Sequence, residues 1–157
     1  MIQPTDRRDD DTAEPPRRDE RRGTDELSVV ESVRRRVLIV DDEAAIVEVL
    51  SEHFKADYDV ETALNGADAL GAALRHRPDV VLLDLNMPRM NGVEVLRNLK
   101  QIDASIEVVM VSGNAEIRLT ADALKNGAFG YVPKPFDLRY LDHMLAAIFD
   151  RVKAPKR

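Results

Sequence analysis

The chain predicts an α/β fold, a doubly wound sheet of five parallel strands made from a (βα) unit repeated five times. Three observations predict it. From Arg36 onward, short apolar runs alternate with amphipathic stretches. The runs at 37–40, 80–83 and 108–111 are continuously apolar, as strands covered by helices on both faces must be. Each of these runs also stops at a polar residue (Asp41, Asp84, Ser112), so hydrophilic chemistry gathers at the strand ends, where open parallel sheets bind ligands.

Taken in order, residues 1–35 are read as a disordered, charged N-terminal leader. They hold eight arginines and ten acids and too few apolar groups to offset the entropy of ordering. A capping-box pattern at Ser28 and Glu31 allows a short helix at 28–35. The folded domain is expected at 36–152. Its first strand is 37–40, followed by a helix over 44–55 with Ile46, Val47, Leu50 and Phe54 on one face. A second strand at 60–63 leads to a helix capped by Asn65 and carrying Ala69, Leu70, Ala73 and Leu74. Pro78 separates that helix from the third strand, 80–83, and Gly92 opens a helix presenting Val95, Leu96 and Leu99. The fourth strand, 108–111, precedes a helix over 115–125 with Ile117, Ala121 and Leu124, which Asn126-Gly127 terminates by C-cap chemistry. A fifth strand at 131–132 and a helix over 138–152 with Leu141, Leu145 and Ile148 inward complete the domain, before a basic tail at 153–157. Right-handed crossovers then favour the strand order 2-1-3-4-5, a flavodoxin-like arrangement whose switch point lies between strands one and three. Asp41, Asp42 and Asp84 follow those two strands.

Composition narrows the function classes. A net charge of −6 and a pI near 5.1 argue against an intrinsic nucleic-acid surface. With no cysteine there is no disulfide framework, thiolate metal site or thiol nucleophile. No apolar run approaches the length of a membrane span, and no secretory h-region opens the chain, so a soluble, cytoplasmic protein is expected.

The chemistry sits in five short pieces: Asp41-Asp42, Asp84, Ser112, Tyr131 and Lys134. Three carboxylates brought close together cannot all stay ionised without a cation, and hard oxygen ligands suit Mg²⁺. Asp84, held at the end of an apolar strand, is the candidate nucleophile; Lys134 offers a point charge and Ser112 a hydroxyl to phosphoryl oxygens. Positioning and charge neutralisation are most of what phosphoryl transfer asks of a protein.

The segments VDDE, LLDLNMPRMNG, VSGN and GYVPKPF resemble the signatures of bacterial two-component response-regulator receiver domains over about residues 36–152. The resemblance implies that Asp84 is the phosphoacceptor, that Asp42 ligates Mg²⁺, that Asp41 holds the metal or its water, and that Asn86 contributes a backbone carbonyl. It likewise implies that Ser112 is the hydroxyl that turns toward the aspartyl phosphate, that Tyr131 is the aromatic switch, and that Lys134 contacts phosphate next to a cis Lys134–Pro135 peptide. Gly113 and Asn91 stand where alanine and aspartate are commoner in that family, and the neutral Asn86 and Asn114 occupy positions that tune phosphate lifetime there.

The expected function is therefore a Mg²⁺-dependent phosphorylation switch rather than an enzyme acting on a separate substrate. A sensor histidine kinase or phosphotransfer protein would supply the phosphoryl group. The output would be a protein partner or a homodimer, contacted through the fourth helix, fifth strand and fifth helix, because the short tail is too small for a DNA-binding domain. Phosphate sink, relay intermediate and phosphorylation-independent pseudo-receiver are the alternatives. An aspartyl-nucleophile phosphohydrolase fits worst, because Asn86 stands where such enzymes carry their general acid.

Overall fold

The computed structural model describes residues 34–113 and 117–151. The expected leader and its helix at 28–35 fall almost wholly outside the described residues, as do Asn114 and the tail at 153–157. Arg34 and Arg35, expected to belong to the leader, touch the folded domain. Arg34 donates to the Lys55 and Ala56 carbonyls, and the Arg35 guanidinium lies 5.0 Å from the Phe149 ring centre.

Five βα units follow: β1 (Arg36–Val40), α1 (Ala44–Phe54), β2 (Asp59–Ala63), α2 (Gly66–His76), β3 (Val80–Leu83), α3 (Gly92–Ile102), β4 (Glu107–Ser112), α4 (Ile117–Lys125), β5 (Gly130–Pro133) and α5 (Leu138–Arg151). The strands form one parallel sheet in the order β2-β1-β3-β4-β5, as expected. Central strands are buried beyond their half-buried first residues, Arg36 in β1 and Glu107 in β4, whereas the edge strand β2 exposes Asp59 and Thr62 and keeps only Ala63 fully inside.

Alternate residues of the central strands feed two separate cores, which is why 37–40, 80–83 and 108–111 are apolar at every position. Val37, Ile39, Val80, Leu82, Val109 and Val111 face α1 and α5, meeting Leu50, Phe54, Leu141, Leu145 and Ile148. Leu38, Val40, Val81, Leu83, Val108 and Met110 face the other way, onto α2, α3 and α4. Each fully buried Leu or Ile contributes about 1.5–3 kcal/mol by leaving water.

Caps fix where the helices begin. The Asn65 side chain accepts from the Asp68 N–H (2.8 Å) and the Asn91 side chain from the Glu94 N–H (3.0 Å). Gly127 ends α4 at φ +100, where a side chain would be strained.

Two helix faces differ from expectation. In α4 the inward residues are Leu119 and Ala123, while Ala121 and Leu124 point out; the side chain of Ile117 lies outside the described residues. In α2 the buried face is Gly66, Ala69, Ala72 and Ala73, and Leu74 is 64% exposed.

Candidate functional site

The sheet register builds the site. Val40 pairs with Leu83, so β1 and β3 stop level with each other and the acids after them meet. The Asp84 N–H donates to the Val40 carbonyl (3.0 Å), extending the ladder one residue and fixing the Asp84 backbone. Asp41 and Asp84 are buried, at 2% and 4% exposure, while Asp42 is open to solvent. One oxygen from each of the three lies within 4.8 Å of the others.

Lys134 comes from the far side of the sheet. Its N–H donates to the Ser112 carbonyl (3.0 Å), continuing the β4–β5 ladder, and the Lys134–Pro135 peptide is cis. The Lys134 ammonium donates to Asp41 Oδ2 at 2.7 Å and lies 3.5 Å from Glu43 Oε1 and 3.7 Å from Asp84 Oδ2.

One ammonium does not balance these carboxylates, and Asp84 carries the consequence. Burial pushes its carboxyl up to about 6, the Asp41 charge adds to this, and Lys134 and the Asn86 N–H only partly offset them. Burial by itself would depress the Lys134 pKa, but the hydrogen bond to Asp41 and the charges of Asp84, Asp41 and Glu43 outweigh it and hold the ammonium above its ordinary value. The site thus carries excess negative charge on clustered hard oxygens, which suits a divalent cation such as Mg²⁺.

Ser112 ends β4 at 1% exposure. Its hydroxyl oxygen accepts a long hydrogen bond from the Asn86 side-chain amide (3.4 Å), and its carbonyl accepts from the Tyr131 hydroxyl (2.9 Å). Burial, then the charge of Asp84, raises the Tyr131 phenol above its ordinary pKa. Gly113 leaves space beside Lys134: a Cβ there would sit 3.4 Å from the lysine Cβ, an ordinary contact. Asp42, Glu43, Asp84, Asn86, Ser112, Gly113 and Lys134 line an open cleft. All the acids, Ser112, Asn86 and Lys134 are therefore together, and Tyr131 joins them through the Ser112 backbone.

Two participants were not foreseen from sequence. Glu43 reaches Lys134, and adjacency to Asp41-Asp42 was the only available signal. Gly92 lets α3 close on the end of β3: a Cβ there would lie 2.3 Å from the Asp84 carbonyl oxygen.

The response regulator receiver domain family matches residues 37–146. Sporulation initiation phosphotransferase F of Bacillus subtilis (strain 168) is 37% identical over 107 residues, 68% of this chain and 86% of that protein. Other curated relatives, 35–39% identical, are longer, and the matched region is 23–52% of their length. Among solved structures, a CheY-like receiver domain protein from Methanospirillum hungatei JF-1 superposes with a TM-score of 0.73 at 27% identity, covering 77% of this chain and 98% of that one. CheY in the CheX-CheY-BeF3-Mg²⁺ complex from Borrelia burgdorferi gives 0.69 at 31% identity, covering 73% and 89%.

Proposed function

The chain belongs to the response regulator receiver domain family, and from that premise we propose that it is a Mg²⁺-dependent phosphorylation switch with Asp84 as its acceptor. One observation carries the reading: Asp84 is buried beside two other carboxylates, with an ammonium 3.7 Å away and a buried hydroxyl on the neighbouring strand. That is a buried carboxylate with a cation and a hydroxyl close by, the groups that phosphoryl transfer uses.

An Asp84 oxygen attacks the phosphorus of a phosphohistidine on a sensor kinase or phosphotransfer protein. The O–P bond forms as the P–N bond breaks; nitrogen leaves with the bonding pair, and a proton completes the neutral imidazole. Asp42, Asp84 and the Asn86 carbonyl would hold Mg²⁺, with Asp41 contacting it directly or through water. When bound, the ion neutralises charge on the phosphoryl oxygens and the carboxylates. Lys134 moves from Asp41 toward a phosphoryl oxygen, and Ser112 donates its hydroxyl to another. Hydrolysis of the aspartyl phosphate resets the site, so the chemistry is confined to the protein's own acceptor.

The readout follows from connectivity. The Tyr131 hydroxyl rests on the carbonyl of Ser112, so movement of Ser112 toward the phosphoryl group disturbs Tyr131 directly. The α4–β5–α5 surface then changes, and a protein partner or a second copy reads it.

The test is intact mass after incubation with acetyl phosphate, with and without Mg²⁺, on wild type and Asp84→Asn. A single phosphoryl adduct requiring both Mg²⁺ and Asp84 is expected. An adduct that persists in Asp84→Asn, or no Mg²⁺ binding at all, would overturn the reading.

A further inference from the structure

We propose that Glu43 is a positioning residue that holds Lys134 away from Asp84 in the resting state and so opposes phosphoryl binding. The proposal rests on the reading of Asp84 as acceptor and adds a residue that regulates the same site.

The Glu43 backbone is fixed. Its N–H donates to Asp41 Oδ1 (2.9 Å), and its carbonyl accepts from the Ile46 and Val47 N–H groups at the start of α1. Its side chain makes no capping hydrogen bond, although it occupies the N-cap position. It extends over the cleft instead, to 3.5 Å from the Lys134 ammonium.

Lys134 therefore stands between two sets of anions. Asp41, at 2.7 Å, and Glu43 lie on the β1 side; Asp84 lies on the β3 side at 3.7 Å. A phosphoryl oxygen on Asp84 competes with Asp41 and Glu43 for the N–H donors of the ammonium. Glu43 is not among the three carboxylates whose oxygens cluster for a cation. Its charge therefore acts on the lysine and on any anionic phosphoryl group entering the cleft, and both effects have the same sign. The Glu43 side chain is 64% exposed, so the effect is that of a partly screened pair, a few-fold rather than orders of magnitude.

The experiment measures the affinity of beryllofluoride, a phosphoryl analogue, at saturating Mg²⁺, and the affinity of Mg²⁺ alone, for wild type, Glu43→Gln and Glu43→Asp. Glu43→Gln should bind beryllofluoride about three- to tenfold more tightly at low salt, the difference shrinking at about 0.5 M salt, where the screening length is roughly half its value at 0.1 M. Its Mg²⁺ affinity should stay within about twofold of wild type, and Glu43→Asp, which keeps the charge, should fall between the two. Equal or weaker beryllofluoride binding by Glu43→Gln overturns the proposal. So does a change in Mg²⁺ affinity as large as the change for beryllofluoride, which would make Glu43 a metal-side residue. A folded wild type that binds Mg²⁺ but neither beryllofluoride nor a phosphoryl group would defeat the acceptor reading itself, a result distinct from failure at Glu43.

Discussion

At Gly92 one absent methyl group decides how closely α3 can approach Asp84 at the end of β3. A Cβ there would meet the Asp84 carbonyl oxygen at 2.3 Å and Leu85 Cα at 2.7 Å, both backbone atoms that no rotamer change can move. The Gly92 N–H also donates to the Leu85 carbonyl (2.8 Å), so helix and strand end are tied where they are closest. Gly92→Ala is expected to cost about 1–3 kcal/mol or more by forcing the backbone apart, and to slow phosphoryl acceptance because Asp84 is displaced. Urea denaturation checks it; a loss below about 0.5 kcal/mol, the usual range of an inconsequential substitution, would contradict the close approach. Arg89, in the same loop, sits at φ +73 with the Met90 N–H donating back to the Pro88 carbonyl (2.8 Å), a tight three-residue turn. Such a conformation costs a non-glycine residue on the order of 1–3 kcal/mol. Arg89→Gly should therefore leave stability unchanged or raise it despite glycine's greater unfolded-state entropy, and Arg89→Val should lower it. Nothing in the run Met87-Pro88-Arg89-Met90 announces a positive φ at an arginine, so this strain was not legible in the sequence.

Among the elements, strands were more legible than helix faces, and the reason is geometric. A central strand covered on both sides must be apolar at every position, so β1, β3 and β4 stood out as unbroken runs and their ends located Asp41, Asp84 and Ser112. A short amphipathic helix can satisfy its period with more than one stripe. In α4, Ile117-Ala121-Leu124 and Leu119-Ala123 both have helical spacing, and only packing against the rest of the fold selects the second. In α2, alanines rather than leucines face inward: Gly66 lies so close to Met90 and Val95 that a Cβ would come within 2.8 Å of each, and small residues permit that approach. Leu74 is left 64% exposed as a result. The contrast is measurable by equilibrium unfolding. Leu124→Gln, on the outward face, should change stability by no more than about 0.5 kcal/mol, and Leu96→Ala, at the centre of the α3 core, should cost about 2–5 kcal/mol. Equal losses at the two positions would mean that the α4 stripe is assigned to the wrong face. The site itself was readable because its residues sit at strand ends, where register alone brings them together. Glu43 was not, because a helix-capping position normally uses its side chain on its own helix.

For the whole molecule, the excess negative charge at the sheet edge couples folding to pH and, through the proposed site, to Mg²⁺. Asp84 titrates near 6 in the folded protein against an ordinary value of 3.8. Between those values the folded state holds a proton that the unfolded state has released. Stability of the metal-free protein therefore falls as pH rises from about 4 to 6 and is level, for this group, above that. A full shift of this size corresponds to about 3 kcal/mol by linkage, an upper figure. Asp84→Asn removes the titrating carboxyl, so at pH 7 without metal the variant should be more stable than wild type by about 1–3 kcal/mol, with a flatter stability profile between pH 4 and 6. Mg²⁺ reverses the comparison. Held as proposed by the folded arrangement of carboxylates, Mg²⁺ at about 100 times its Kd should stabilise wild type by about 2.7 kcal/mol, and chelation should undo this. Asp84→Asn, lacking one ligand, should gain less. The check is a thermal-unfolding series across pH 4–7 for both proteins, with EDTA and with excess Mg²⁺. If Asp84→Asn is less stable than wild type in EDTA at pH 7, the Asp84 carboxylate is a net stabiliser paired with Lys134, and the burden of uncompensated charge lies on another acid of the cluster. If instead the order inverts on adding Mg²⁺, stability has been given up at this edge to keep a carboxylate poised for a cation and a phosphoryl group.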